Sequence, residues 1–242
     1  MRSPDGQMDC RRSERNNIMI KVEHIEVFNF EGAIRGLRNP LNSWDKSDSV
    51  FEETSEVGSA KLEIPEIGPN DLALMKRLYK AGTEHRKYMR QIIVGMDITA
   101  PLYWWKEFDT YKVGTVANSC STMHKIAAKE FELDDFSHDY LEELEGDDYN
   151  YAWQDWHDRI KCLNYFRDKY NATKDKRYWR MMIEKLPSSY NQKRTITMNY
   201  ENVVTMIRQR TNHKLDEWND FAQILSDLPY IKDIMGVNNG QD

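Results

Sequence analysis

Residues 113–122, VGTVANSCST, carry five hydroxyl or amide side chains, those of Thr115, Asn118, Ser119, Ser121 and Thr122, just after a glycine, Gly114. Such groups donate and accept hydrogen bonds without charge, and a glycine permits a tight backbone turn, so the stretch has the chemistry to hold a phosphate or a nucleotide. The same composition also describes a surface turn. Cys120, between Ser119 and Ser121, is a candidate nucleophile, but the sequence shows no base to activate it. Upstream, HRKYMRQ (85–91) gathers Arg86, Lys87 and Arg90, either to meet an anion or to form a solvated face. Searches for GxGxxG, a Walker loop, HExxH and GxSxG find nothing, and the six histidines are dispersed without metal-ligand spacing.

The polar stretch must be delivered by what precedes it. Pro101 suits the first turn of a helix, where its missing N–H costs nothing. Leu102, Trp104, Trp105 and Phe108 then form an apolar stripe at helical spacing. Before them, IIVGMDI (92–98) is apolar and short enough for a strand. Residues 19–30 read as an opening strand, 42–68 as a long polar loop, and Asn70 as the cap of a helix ending near Gly82. A strongly aromatic helix is expected over 150–170, packed in the core or between subunits. A helix follows over 179–186, a strand over 193–198, a helix from Asn199, and a last amphipathic helix over 216–228. With no repeat and no interdomain linker, one α+β domain fits best.

The whole chain sets bounds on function. At 242 residues it can bury a sizeable core. A net charge of −6 argues against general nucleic-acid binding, which needs a basic face. No run of about 18 apolar residues exists to cross a membrane. Cys10, Cys120 and Cys162 form no disulfide framework, which points to a reducing, cytoplasmic setting. Residues 1–18 read as a disordered extension, or as lying upstream of a first residue at Met19, and 237–242 as a flexible tail.

Several pieces recur in a telling order. An apolar segment reaching a proline (QIIVGMDITAP, 91–101) precedes the bulky LYWWKEF, then TYKVGT (110–115) and NSCSTMH (118–124). Leu186-Pro187 follows, then a strand, then Asn199 opening a helix that closes at Arg210. In this order and spacing the chain resembles the flavin-dependent thymidylate synthases (ThyX), which methylate dUMP to dTMP using FAD, NADPH and a methylene folate. The resemblance covers residues 19–228 and rests on spacing and residue character more than identity. It implies a single ThyX-like α+β domain over 19–236, with a mixed or antiparallel sheet, several helices, and long aromatic helices in the C-terminal half. It also implies a homotetramer with active sites between subunits.

The resemblance assigns roles by position. Ser121 stands where the family places a serine on the dUMP phosphate, and Arg210 where it places an arginine on the pyrimidine. These two are the expected catalytic pair, with Glu107 and Asn118 beside them on the substrate side. Lys112, Thr115, Asn199 and Gln91 are expected around the flavin. The departures cluster there. The family's Arg-His-Arg is Thr110-Tyr111-Lys112, its flavin-contacting His is Gln91, and two further arginines are Met123 and Ile183. Arginine offers phosphate a planar fork and lysine a point charge, so Lys112 is not an equal exchange. Two readings follow. One is a divergent enzyme of pyrimidine nucleotide metabolism; the other is a nucleotide-binding or nucleotide-sequestering protein that kept the fold without flavin chemistry.

Overall fold

The computed structural model describes residues 20–51, 56–57, 60–61 and 65–237; the expected N-terminal extension, and all of the expected tail but Val237, lie outside them. In chain order, β1 (Lys21–Phe28) enters α1 (Phe30–Arg38), and β2 (Glu56–Val57) and β3 (Ala60–Lys61) precede α2 (Pro69–Ala81). β4 (Ile93–Pro101) leads directly into α3 (Leu102–Phe108), β5 (Val116–Ser119) and the short α4 (Thr122–Lys125). The C-terminal half holds α5 (Gly146–Thr173), α6 (Lys176–Lys185), β6 (Asn191–Asn199), α7 (Tyr200–Arg210), α8 (Asp216–Ser226) and α9 (Ile231–Met235).

The main sheet has the order β1-β4-β6-β5 and is antiparallel throughout, while β2 and β3 pair separately. Alternation in IVGMDITAP sends Val94, Met96, Ile98 and Ala100 to one face, where all are buried. In β6, Gln192, Ile196 and Met198 do the same. These residues join Phe30 of α1, Met75 of α2, Val203 and Val204 of α7, and Phe221 of α8 in one core. At its centre Trp104 of α3 packs 4.6 Å from Trp218 and 5.3 Å from both Phe108 and Phe221, ring centre to ring centre.

Three local expectations change, and a fourth, the packing of the aromatic helix, is met in part within one chain. Pro101 ends β4 and caps α3 from outside rather than forming its first turn. The cap of α2 is Gly68, with Pro69 at the first helical position and Asn70 already inside, because proline's fixed φ suits that place. Residues 116–119, expected in a polar loop, form an edge strand recruited by β6. The aromatic helix α5 is 28 residues long and buries only Leu163, with Tyr151 82% exposed and Tyr165 55% exposed. Its remaining apolar contacts go to α6 through a second cluster containing Phe131, Phe136 and Met182.

Candidate functional site

Arg210 is the last residue of α7, and the helix begins where the sequence places it. Asn199 caps it: its Oδ1 accepts the N–H of Asn202 at 3.1 Å, and Asn202 Oδ1 accepts the N–H of Asn199 at 3.3 Å. Eleven residues later the Arg210 guanidinium lies 4.4 Å over the ring of Trp218. Nε donates to the Tyr111 hydroxyl at 2.9 Å and Nη1 to Glu107 Oε2 at 2.5 Å. His213 joins the group. Its Nδ1 accepts the Leu215 N–H at 3.1 Å, and its Nε2 lies 3.0 Å from Arg210 Nη1 and 3.5 Å from the same Glu107 oxygen. Arg210 is thus pinned by four neighbours, Trp218, Tyr111, Glu107 and His213, with its side chain 15% exposed. Nη2 has no hydrogen-bond partner among the described residues.

A second arginine is held in the same manner on the other side of the α3 C-terminus. Arg194, in β6, stacks 4.2 Å over Trp105, donates Nε to Gln192 Oε1 at 2.9 Å and Nη1 to Asp109 Oδ1 at 2.7 Å. It sits directly across from Ser119 in the β5–β6 pairing, so both side chains belong to one face. Arg194 is not among the residues that the resemblance marks. Its signal was available: in KRTITM the alternation puts Arg194 on the same face as buried Ile196 and Met198, where a charge needs partners.

The remaining expected residues spread around this end of the sheet. Asn118 pairs with Thr195 and therefore faces away from Arg194 and Ser119, beside the network of Asp97, Lys193 and Thr195. Hydrogen bonds from Thr195 and Lys193 hold the Asp97 carboxyl below its ordinary pKa. Ser121 follows β5 as the cap of α4, with Oγ accepting the His124 N–H at 3.1 Å; it is exposed. Cys120 is exposed and fixed through its backbone, donating N–H to Lys193 O at 2.9 Å and accepting from Gln192 Nε2 at 3.0 Å. Thr115 donates its hydroxyl to the Tyr111 carbonyl. Lys112 is exposed in the same turn. Gly114 explains the tightness of that turn. At φ +80° a side chain is strained, and an added Cβ would lie 2.8 Å from Asn199 Nδ2 and Asn202 Oδ1.

A flavin dinucleotide needs donors for two phosphates. Among the four residues expected to serve it, Thr115 has its hydroxyl on the chain's own backbone and Asn199 has its amide oxygen there. Gln91 has its amide packed against α1, where a Cβ at Gly36 would come within 2.5 Å. Lys112 alone offers a cation. Arg86 and Arg90, upstream of β4, both bond Glu201 in the first turn of α7, Arg86 at 3.2 Å. Burial pushes the Glu201 carboxyl up, but these two guanidinium groups outweigh it and hold it below its ordinary value. Of the four residues expected at the flavin, Lys112 is thus the one cation that a single chain offers to the diphosphate of FAD.

No protein-family model matches the sequence, and no curated protein matches it. The fold does match solved structures. One is flavin-dependent thymidylate synthase ThyX from Helicobacter pylori complexed with FAD and dUMP, at 17% identity and a TM-score of 0.62, spanning 89% of this chain and 97% of that one. Another is Thymidylate Synthase X (ThyX) from Helicobacter pylori with FAD and dUMP, at 15% identity and a TM-score of 0.61, spanning 89% and 96%. Over most of its length, at low sequence identity, this chain has the α+β fold of the flavin-dependent thymidylate synthases.

Proposed function

We propose that this chain is a divergent protein of pyrimidine nucleotide metabolism that binds dUMP or a close relative, with Arg210 directed at the base and Ser121 at the phosphate. The observation that carries this reading is the state of Arg210. Stacking on Trp218 and bonds to Tyr111 and Glu107 fix the guanidinium and leave Nη2 as a preorganised donor. A donor held in place before binding loses little entropy when it meets a carbonyl, and it stabilises negative charge on the ring without reorganising. Lys112 and Arg194 lie on the α3–β5 side to supply positive charge. Glu107 and Asn118 complete the substrate side. In the homotetramer inferred from the resemblance, Ser121 and Arg210 of different subunits face one nucleotide.

A second reading is catalytic: methylation of dUMP using FAD, NADPH and a methylene folate. Asn199 and Arg210 favour it, because one begins and the other ends α7, as the family spacing requires. The cofactor carries the redox and carbon-transfer chemistry in such enzymes, while the protein orients the pyrimidine. Lys112, Thr115, Asn199 and Gln91 would then need help from a neighbouring subunit to hold it. The visible absorbance spectrum of purified protein, before and after FAD and desalting, separates the two readings. A retained flavin band supports the enzyme. A flat spectrum with a dUMP-induced rise in melting temperature supports binding alone. A flat spectrum with no nucleotide-dependent shift overturns both.

A further inference from the structure

Well away from α3 and β5, the fold fixes one loop to an unusual degree. Asp71 in the first turn of α2 is fully buried, and its Oδ1 accepts Arg38 Nε at 2.6 Å. Its Oδ2 accepts the hydroxyls of Ser47 and Ser49, at 2.8 and 2.7 Å, and the N–H groups of Asp48 and Ser49, both at 3.1 Å. Asp48 reciprocates, accepting the N–H groups of Asn70 and Asp71 at 2.9 and 3.1 Å. Residues 47–49 are thus locked to the start of α2 from both directions, and Arg38 Nη1 donates to Ser43 O at 3.1 Å at the other end of the loop. Nothing in the nucleotide reading uses them.

Beside this lock lies a cavity of about 540 Å³, bounded by Arg38, Ser43, Lys46, Asn70, Leu74 and Arg77. Asn70, Leu74 and Arg77 follow helical spacing along one face of α2. Lys46 is carried in by the locked loop. No carboxylate lines the cavity among the described residues. Arg38 is compensated by Asp71, but Lys46 and Arg77 form no ion pair among the described residues, so the cavity has a net positive wall. Arg38 itself is 3% exposed, and its Nη2 has no hydrogen-bond partner among the described residues, but that nitrogen is shut off from solvent, so the exposed Lys46 and Arg77 are the groups an anion in the cavity would meet.

We propose that this cavity binds a small phosphorylated ligand, separately from the nucleotide site. Arg77 offers a forked pair of donors to phosphate oxygens and Lys46 a mobile point charge, while Ser43 and Asn70 supply neutral hydrogen bonds. The locked loop fixes the backbone at Lys46 before the ligand arrives, which lowers the entropy lost on binding.

Calorimetric titration of the full chain with pyrophosphate and with inorganic phosphate tests the proposal. Wild type is expected to bind pyrophosphate more tightly than phosphate, and more weakly as salt is raised. The surface double variant Lys46→Ala/Arg77→Ala is expected to lose at least about tenfold in affinity. Absence of binding to wild type overturns the proposal, and so does unchanged affinity in the double variant, since the anion would then occupy another site.

Discussion

Replacing Asp71 by asparagine keeps the side chain's shape and reverses its hydrogen-bonding logic. The carboxylate accepts from one donor on Oδ1 and from four on Oδ2. An amide has one oxygen and one NH2, so whichever way it turns, a donor faces a donor. The better orientation keeps the oxygen toward Ser47, Asp48 and Ser49 and points NH2 at Arg38 Nε. Arg38, 3% exposed, is then a buried charge without its counter-ion. Breaking a buried pair in this way costs about 3–5 kcal/mol. For a chain of this size that corresponds to a fall of roughly 6–20 °C in melting temperature. Urea unfolding monitored by tryptophan fluorescence measures the loss directly. The pH dependence gives a second signature. Burial raises the Asp71 pKa, but bonds from Ser49, Ser47 and Arg38 outweigh it and hold it below the ordinary 3.8. A folded-state pKa below the unfolded one means the ionised group stabilises above about pH 4, and the benefit is lost as pH falls through the folded value. The gap between wild type and Asp71→Asn should therefore be constant near neutrality and close in acid. A loss below about 1 kcal/mol, the scale of an exposed ion pair, would refute the account of this network.

Other consequences follow from the same geometry. Arg210→Ala should eliminate the dUMP-dependent rise in melting temperature while leaving the oligomer seen by sedimentation unchanged. Glu107→Gln frees Arg210 from its carboxylate and should weaken that rise without removing it. Gly114→Ala forces a side chain to φ +80° and against the Asn199 cap, so it should lower stability by about 1–3 kcal/mol and loosen the Thr110–Thr115 turn, read as faster amide exchange. Trp104→Ala should cost about 3–5 kcal/mol of unfolding free energy. Trp104→Phe should cost less, since it also removes a buried indole N–H that has no partner among the described residues.

The parts legible in the sequence were those governed by local rules. The short apolar run IIVGMDI marked β4, and Asn199 marked the start of α7, because segment length, apolar content and capping chemistry act over a few residues. β5 was not legible. Its four residues are exposed on both faces and become a strand only because β6 offers an unpaired edge. Arg194 was missed because the charge was read apart from its alternation. Asp71 was missed for the same reason, although it shares a helical face with buried Leu74 and Met75. The aromatic content of α5 predicted burial that the single chain does not provide: Trp156, Ile160 and Phe166 meet the second cluster, but Tyr151 and Tyr165 stay in solvent. Composition cannot state what will lie opposite an aromatic face. Spacing placed Glu107 in the helix after Pro101 and Arg210 at the end of the helix that Asn199 caps. The hydrogen bonds that engage Thr115 and Asn199 within the chain are tertiary and could not be read from spacing.

The most direct test of the nucleotide reading is a calorimetric titration of dUMP into wild type and into Arg210→Ala, run side by side at one ionic strength. Saturable binding to wild type that is lost in the variant is the predicted result. Equal binding to both proteins, or none to wild type, would contradict the assignment of Arg210 as the donor that orients the pyrimidine.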